Sequence, residues 1–448
     1  MSSMPLAGLR SRRGSDSRIA DAWCLMEELY PICRSITGEG VRTTLAAIER
    51  HIPLVYTEVP SGTRLFDWEV PREWNIRAAW IKDGADRTIV DLRDHSLHVM
   101  SYSAPVHARL TLAELEPHLH SLPERPDWIP YRTSYYREDW GFCLPHHQRQ
   151  SLRDQEYEVF IDSELAPGHL TYAECCIRGA TEQEFLIFTH VCHPSLCNDN
   201  LTGIALATVL ARELSKERTR LTYRFVFAPG TIGSIAWLAR NEPRLAAVRH
   251  GLVIGLLGDR GPLTYKRSRR GGAEIDRISA LAVSRLDQRA RCVDFSPYGY
   301  DERQLCSPGF NLPVGRLTRT PNGEYPEYHS SADDFSILDR DALSESLRAL
   351  ASITATADRN AAYINLNPKC EPRLGKRGLF RAVGGAPPGE FEHALLWVLN
   401  QSEGDHSLLA IAERSGLDFE LLANAADALL AADLLRPTEV DAEKEKNQ

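Results

Sequence analysis

Residues 184–216 read EFLIFTHVCHPSLCNDNLTGIALATVLARELSK. The first seven form a nearly continuous apolar run. The stretch from Gly203 onward repeats apolar residues at helical spacing. An apolar strand followed by a helix is the building unit of a parallel sheet covered on both faces. Between the two lie His190, His193 and Asp199. They sit where such sheets collect ligands, at the carboxyl end of a strand. Imidazole and carboxylate are the donors expected of a catalytic zinc site that keeps one position open.

The same alternation continues outward. LTYRFVFAP (221–229) reads as a second buried strand, SIAWLARNEP (234–243) as a helix and GLVIGLLGD (251–259) as a third strand. Upstream, YEVFIDSEL (157–165) and HLTYAECCI (169–177) read as strands of the same sheet. Two amphipathic helices are expected over 18–52. Residues 75–155 differ in texture, with short β-like runs, Pro-containing connections and many aromatics. They read as a small β-rich domain inserted into a discontinuous catalytic domain, 18–74 and 156–375. Helix, turn and two further helices from Phe391 suggest a winged-helix-like unit over 385–440. Residues 1–17 read as a disordered lead-in and 441–448 as a charged tail.

The chain has 448 residues and a formal charge of −9. Residues 391–448 carry 12 acidic and 4 basic side chains, or −8, which leaves −1 for the other 390. An acidic winged-helix region makes phosphate contact unfavourable, so no nucleic-acid partner is expected and the unit reads as a docking or dimerisation module. No apolar run reaches the roughly 18 residues that would suggest a membrane span. No secretory signal is apparent, and the ten cysteines show no disulfide-framework spacing. Reduced thiols, a cytoplasmic location and no membrane partner are the expectation.

A second constellation is GEYPEYHSSADDFSILD, 323–339. His329 stands in a polar turn before a helix, with Glu324 and Glu327 ahead of it and Asp333 and Asp334 behind. A third feature, Tyr265-Lys266-Arg267-Ser268-Arg269-Arg270, follows Asp259 at the end of the third strand. Arginine binds carboxylate or phosphate bidentately, so Arg269, Arg270, Arg303 and Tyr265, with Arg316 and Arg319 in addition, are candidates to hold an anionic substrate.

HVCHPSLCNDNLTG and YHSSADDFSILD resemble the metal motifs of the zinc aminopeptidases whose fold is shared with glutamate carboxypeptidase and glutaminyl cyclase. RSITGEGVR, PGTIGS, YKRSRRG, DERQLCSPGFNLPVG and GEYPEYHSS are similar to a bacterial aminopeptidase-like branch with an inserted domain and a carboxyl-terminal winged helix. The resemblance implies one or two zinc ions. His190 and His329 would be ligands, Asp199 would ligate or bridge, and Asp259 would add a carboxylate. His193 has no counterpart in the usual pattern, but His190-X-X-His193 has chelating spacing. The family usually places an Asp at Cys192 and a Glu-Glu pair at Gly230-Thr231, one glutamate serving as general base. A substitute base is therefore sought among Glu324, Glu302, Asp301 and Glu327, with Glu324 and Glu302 preferred.

The leading expectation is a zinc-dependent aminopeptidase-like hydrolase. It would act on a peptide or aminoacyl small molecule, with an acidic group on the substrate, and would form a homo-oligomer. The alternatives are a ligand-binding or scaffold protein that has lost the reaction, and a ligand-sensing regulator that works through the winged helix.

Overall fold

The computed structural model describes residues 17–380 and 389–438. The expected lead-in, apart from Ser17, and the charged tail fall outside these residues. The chain divides into two compact units, one running through Ser352 and the other from Ile353 on.

The first unit opens with helices α1 (Ser17–Leu29) and α2 (Glu39–Glu49). Strand β1 (Val55–Pro60) follows, then β2 (Glu73–Lys82), β3 (Thr88–Asp91), β4 (Val106–Thr111) and β5 (Glu156–Ala166). Strands β6 (His169–Ile177) and β7 (Glu184–His190) lead to α3 (Thr202–Leu214). Next come β8 (Thr222–Ala228), α4 (Ile232–Asn241), β9 (Val248–Ile254), β10 (Thr264–Lys266), α5 (Glu274–Leu286), β11 (Arg291–Val293), α6 (Glu302–Leu305), β12 (Val314–Thr318) and α7 (Arg340–Arg359).

Eight strands form one sheet in the order β1-β6-β8-β7-β9-β12-β10-β11. The central four, β8-β7-β9-β12, are mutually parallel, whereas β1, β6 and β10 join antiparallel. Every residue of β7 and β8 is buried, as their continuous apolar sequences require. The sheet and its helices bury one large core through Leu186, Phe188, Val226, Trp237, Val253 and Val314. Helix α3 presses on the sheet so closely that a Cβ on Gly203 would stand 2.4 Å from Asn200 Oδ1 and 2.8 Å from Thr189 Oγ1. That contact explains a glycine at the start of an otherwise strong helix.

The segment expected as an insert holds a second, four-stranded antiparallel sheet, β3-β2-β5-β4, with its own core of Ala79, Ile81, Val90, Phe142, Tyr157, Val159 and Ile161. Strand β5 was expected to open the main sheet at residue 156; instead Glu158–Ala166 pair with β2 and Glu156–Ile161 with β4. Its burial alternates from Glu156 to Ser163, the signature of a strand packed on one face only. The sheet that contains β2 therefore extends to Ala166, eleven residues past 155.

The second unit contains β13 (Ala362–Asn365), α8 (Glu390–Gln401), β14 (Glu403–Ser407), α9 (Leu408–Ser415), α10 (Phe419–Ala431) and β15 (Leu435–Pro437). The three strands pair in the order β14-β13-β15. Three helices with a small antiparallel sheet make a winged helix, and β13 moves its start to about twenty residues before the expected 385.

Candidate metal centre

Strand β7 ends on His190, and the loop that follows doubles back over the strand ends. His190 Nε2 lies 2.8 Å from Asp199 Oδ1, His193 Nε2 3.8 Å from Asp199 Oδ2, and His329 Nε2 3.1 Å from the same Oδ2. Three imidazoles thus face one carboxylate. His190, His193 and Asp199 are buried, whereas the His329 side chain keeps 34% exposure at the mouth. Among the described residues, His190, His193 and Asp199 form a group whose donor atoms all lie within 4.8 Å of one another.

The electrostatics suit a cation. Burial pulls His190 and His193 below the ordinary imidazole range, so both rings stay neutral and can offer a lone pair. Burial pushes the Asp199 carboxyl up, but His193, His190 and His329 together hold it well below the usual carboxylate range. Neutral imidazoles around an ionised carboxylate are the donor set of a zinc-class site, so the residues present fit such an ion.

An outer layer fixes these donors. Asn200 Nδ2 meets His190 Nδ1 at 3.2 Å, and Cys192 Sγ meets His193 Nδ1 at 3.4 Å. Burial pushes the Cys192 thiol up to about 12, so it sits there as a neutral thiol and not as the thiolate a metal ligand would need. Asp333 accepts hydrogen bonds from Asn198 N, Asp199 N and the Tyr325 hydroxyl. The buried Arg34 donates through Nε to His193 O and through Nη1 to Leu29 O, tying α1 to the loop. The inserted domain supplies a clamp for the loop carrying His329. Tyr131 N donates to His329 O, Ser331 N to Ile129 O, and Ile129 N to Ser331 Oγ. The Tyr131 ring stands 5.1 Å from both His193 and His329.

Several expected site residues lie elsewhere. Asp259 does not join the cluster: its carboxylate accepts from Asn198 Nδ2, Gly261 N and both the amide and hydroxyl of Thr320, bracing two site loops. Glu324 is exposed and paired with Arg291 at 2.9 Å. Glu302 is buried and accepts from Lys266 Nζ at 2.9 Å and from Tyr300 N at 3.0 Å. Burial raises it, but Arg316 and Lys266 prevail and hold it ionised and engaged. Tyr265 is buried, with its hydroxyl on Asp276. Arg269, Arg270 and Arg303 are exposed, and Arg270 Nε donates to Asn311 O just ahead of β12. The reason is strand direction. Strand β10 runs antiparallel to β12, so the basic loop leaves at the amino ends of the parallel strands, whereas the cluster sits at their carboxyl ends.

The profile of a family described as a domain of unknown function (DUF4910) matches residues 23–360. The chain belongs to the DUF4910 family. A winged helix-turn-helix profile matches residues 361–437. A Clostridium acetobutylicum protein named "Putative polysaccharide biosynthesis protein with aminopeptidase-like domain" is 51% identical over 413 residues, 92% of this chain and 95% of that one. A crystal structure of a "putative peptidase" from the same organism is 48% identical, with a TM-score of 0.89 over 94% of this chain and 97% of that one. The fold is that of the zinc aminopeptidases. A Bacillus subtilis zinc aminopeptidase superposes with a TM-score of 0.57 at 10% identity, over 77% of this chain and 96% of that one. A Shewanella amazonensis peptidase M28 precursor gives 0.51 at 12% identity, over 76% and 96%.

Within this DUF4910 chain, one site residue escaped the sequence reading. Tyr300 packs its ring 4.0 Å from that of His190 and brings its hydroxyl 3.5 Å from Cys192 Sγ. Its stretch, SPYGYDE, reads as an ordinary turn, and its only local signal is an aromatic next to Asp301-Glu302.

Proposed function

We propose that this protein is a metal-dependent amide hydrolase of the aminopeptidase type that holds a single zinc-class ion. The observation that carries the reading is the convergence of His190, His193, His329 and Asp199 on one point at the strand ends. His190, His193 and Asp199 would hold the ion, with His329 sharing the Asp199 carboxylate as a fourth donor. Asp259, Glu302 and Glu324 have other partners, which favours one ion over two. When bound, the ion would supply Lewis-acid polarisation of the scissile carbonyl. The chain's own groups orient the site. Asn200 and Cys192 fix two imidazoles, Asp333 pins the backbone of Asp199, and the 129–131 segment holds the His329 loop in place. The substrate would be a peptide or aminoacyl small molecule cleaved beside a free amino group.

Metal analysis of protein purified without chelator, paired with release of an aminoacyl reporter, tests this reading. About one zinc per chain and chelator-sensitive release are expected. Metal-free protein that binds ligands without turning them over would favour a binding role instead.

A further inference from the structure

Two basic side chains converge on Glu302, the first residue of α6. Lys266 and Arg316 face each other across the β10–β12 pairing. Both reach toward Glu302, Lys266 at 2.9 Å and Arg316 only at 3.9 Å. The ionised Glu302 is thus committed to Lys266, which leaves the Arg316 guanidinium with one distant partner. Asp301, the other acidic group here, has both carboxylate oxygens buried without a hydrogen bond, and burial raises it to about 7. It therefore supplies at most part of a counter-charge near neutral pH. Arg316 is 6% exposed, and its side chain makes no hydrogen bond among the described residues. A buried guanidinium without a close partner is costly, and an oxyanion from outside would lower that cost.

The position of Arg316 directs it to the site. Its partner Glu302 accepts from Tyr300 N at 3.0 Å, and the Tyr300 ring packs 4.0 Å from that of His190. The other buried arginine at the site, Arg34, has Nη2 sealed from solvent, whereas the Arg316 side chain retains 7% exposure.

We propose that Arg316 is the anion seat of this site, binding a carboxylate or phosphate group carried by the same molecule as the scissile amide. The fork geometry of guanidinium matches both oxyanions. The amide half of the statement rests on the hydrolase reading; the anion half does not.

The test uses the full-length zinc-loaded chain and three matched hydroxamates: neutral butyrohydroxamate, its ω-carboxylate analogue and its ω-phosphonate analogue. Calorimetry should show an anionic analogue binding about ten-fold or more tighter than the neutral one. Whichever anion wins identifies the source of the charge. In Arg316→Gln the advantage should fall below about two-fold with the neutral Kd unchanged, and Arg316→Lys should keep part of it. Equal affinities in the parent, or an advantage that survives Arg316→Gln, would overturn the proposal. If no hydroxamate binds, the hydrolase reading fails, and Arg316 is then judged on chelator-treated protein. Succinate or inorganic phosphate at about 10 mM should raise the parent Tm by about 2 °C or more and leave Arg316→Gln unmoved. No rise in the parent overturns the anion seat as well. Should Arg316→Gln not fold, the loss is read from Arg316→Lys, which keeps the charge but not the fork.

Discussion

The ring of Tyr300 occupies the space that a side chain on Gly230 would need. A Cβ built on Gly230 would stand 2.2 Å from Tyr300 Cε1 and 2.6 Å from its hydroxyl. Gly230-Thr231 is the pair at which the related aminopeptidases were expected to carry two glutamates. At Gly230 the missing carboxylate therefore leaves no gap: a phenol that burial keeps protonated fills the place. Gly230→Glu should destabilise the fold by about 1–3 kcal/mol through overpacking. Tyr300→Ala in the same chain should relieve much of that cost, which makes the two changes strongly non-additive. Thermal denaturation of both single variants and the double variant measures the coupling, and additive losses would contradict the packing relationship.

The metal reading predicts which residues retain the ion. His190→Ala, His193→Ala and Asp199→Asn should each lower zinc from about one per chain to a small fraction of that, as loss of a ligand from a three- or four-donor site requires. Asp259→Asn should leave the zinc content unchanged, because that carboxylate braces Asn198 and Thr320 and is not one of the clustered donors. Elemental analysis of the four proteins decides the matter. Zinc lost with Asp259 but kept without His193 would reverse the assignment.

The insert should control the third histidine. Ser331→Ala removes the acceptor for Ile129 N and loosens the loop that carries His329. Zinc affinity should weaken by about ten-fold, as for other groups that orient metal ligands. The Tm should shift only slightly, since a single hydrogen bond is worth about 1 kcal/mol. Competitive zinc titration separates the two effects, and unchanged affinity would count against the clamp.

His250, near the amino end of β9 and away from the metal centre at the carboxyl ends, predicts the acid limb of stability. Burial lowers its imidazole from 6.5 to about 4. Between those values the unfolded chain binds a proton that the folded chain does not. Stability therefore falls as pH drops from about 6.5 to 4 and levels off below, by a total on the order of 3 kcal/mol from this group. His250→Leu should flatten that limb in urea titrations run across the window. A parallel pH profile in parent and variant would remove His250 as the cause.

The winged helix predicts weak contact with DNA. Helix α10 carries Glu420 and Asp427 and no Lys or Arg, and both carboxylates pair with Arg359 at 2.6 and 2.8 Å. Fluorescence anisotropy with a labelled duplex at low salt should show no saturable binding, because phosphate neutralisation supplies most non-specific affinity. Salt-sensitive binding in the micromolar range would restore the regulator reading.

Some of this molecule is legible in local sequence. His190, His193 and Asp199 are ten residues apart or fewer, and an apolar strand running into a helix brings them together by itself. The central parallel sheet and the three helices of the tail follow from hydrophobic periodicity, which reports burial directly. The basic loop misled for the complementary reason. Three residues, Thr264–Lys266, form a strand with no local mark of direction, and its antiparallel pairing sends Arg269 and Arg270 to the far edge of the sheet. YEVFIDSEL reads as a strand, but nothing local in it names its partner, the Glu73–Lys82 strand.

The sequence by itself determined the fold class and pointed to three residues of the candidate metal site, because both are written in short-range patterns of apolar, imidazole and carboxylate residues. Tertiary structure alone decided which groups share a space. It brought His329 to Asp199 across 130 residues and laid the Ile129–Tyr131 segment along its loop. It also set Tyr300 over Gly230 and left Arg316 short of a close partner. Those outcomes depend on strand order, strand direction and the volume left between packed elements, none of which a residue can record about itself.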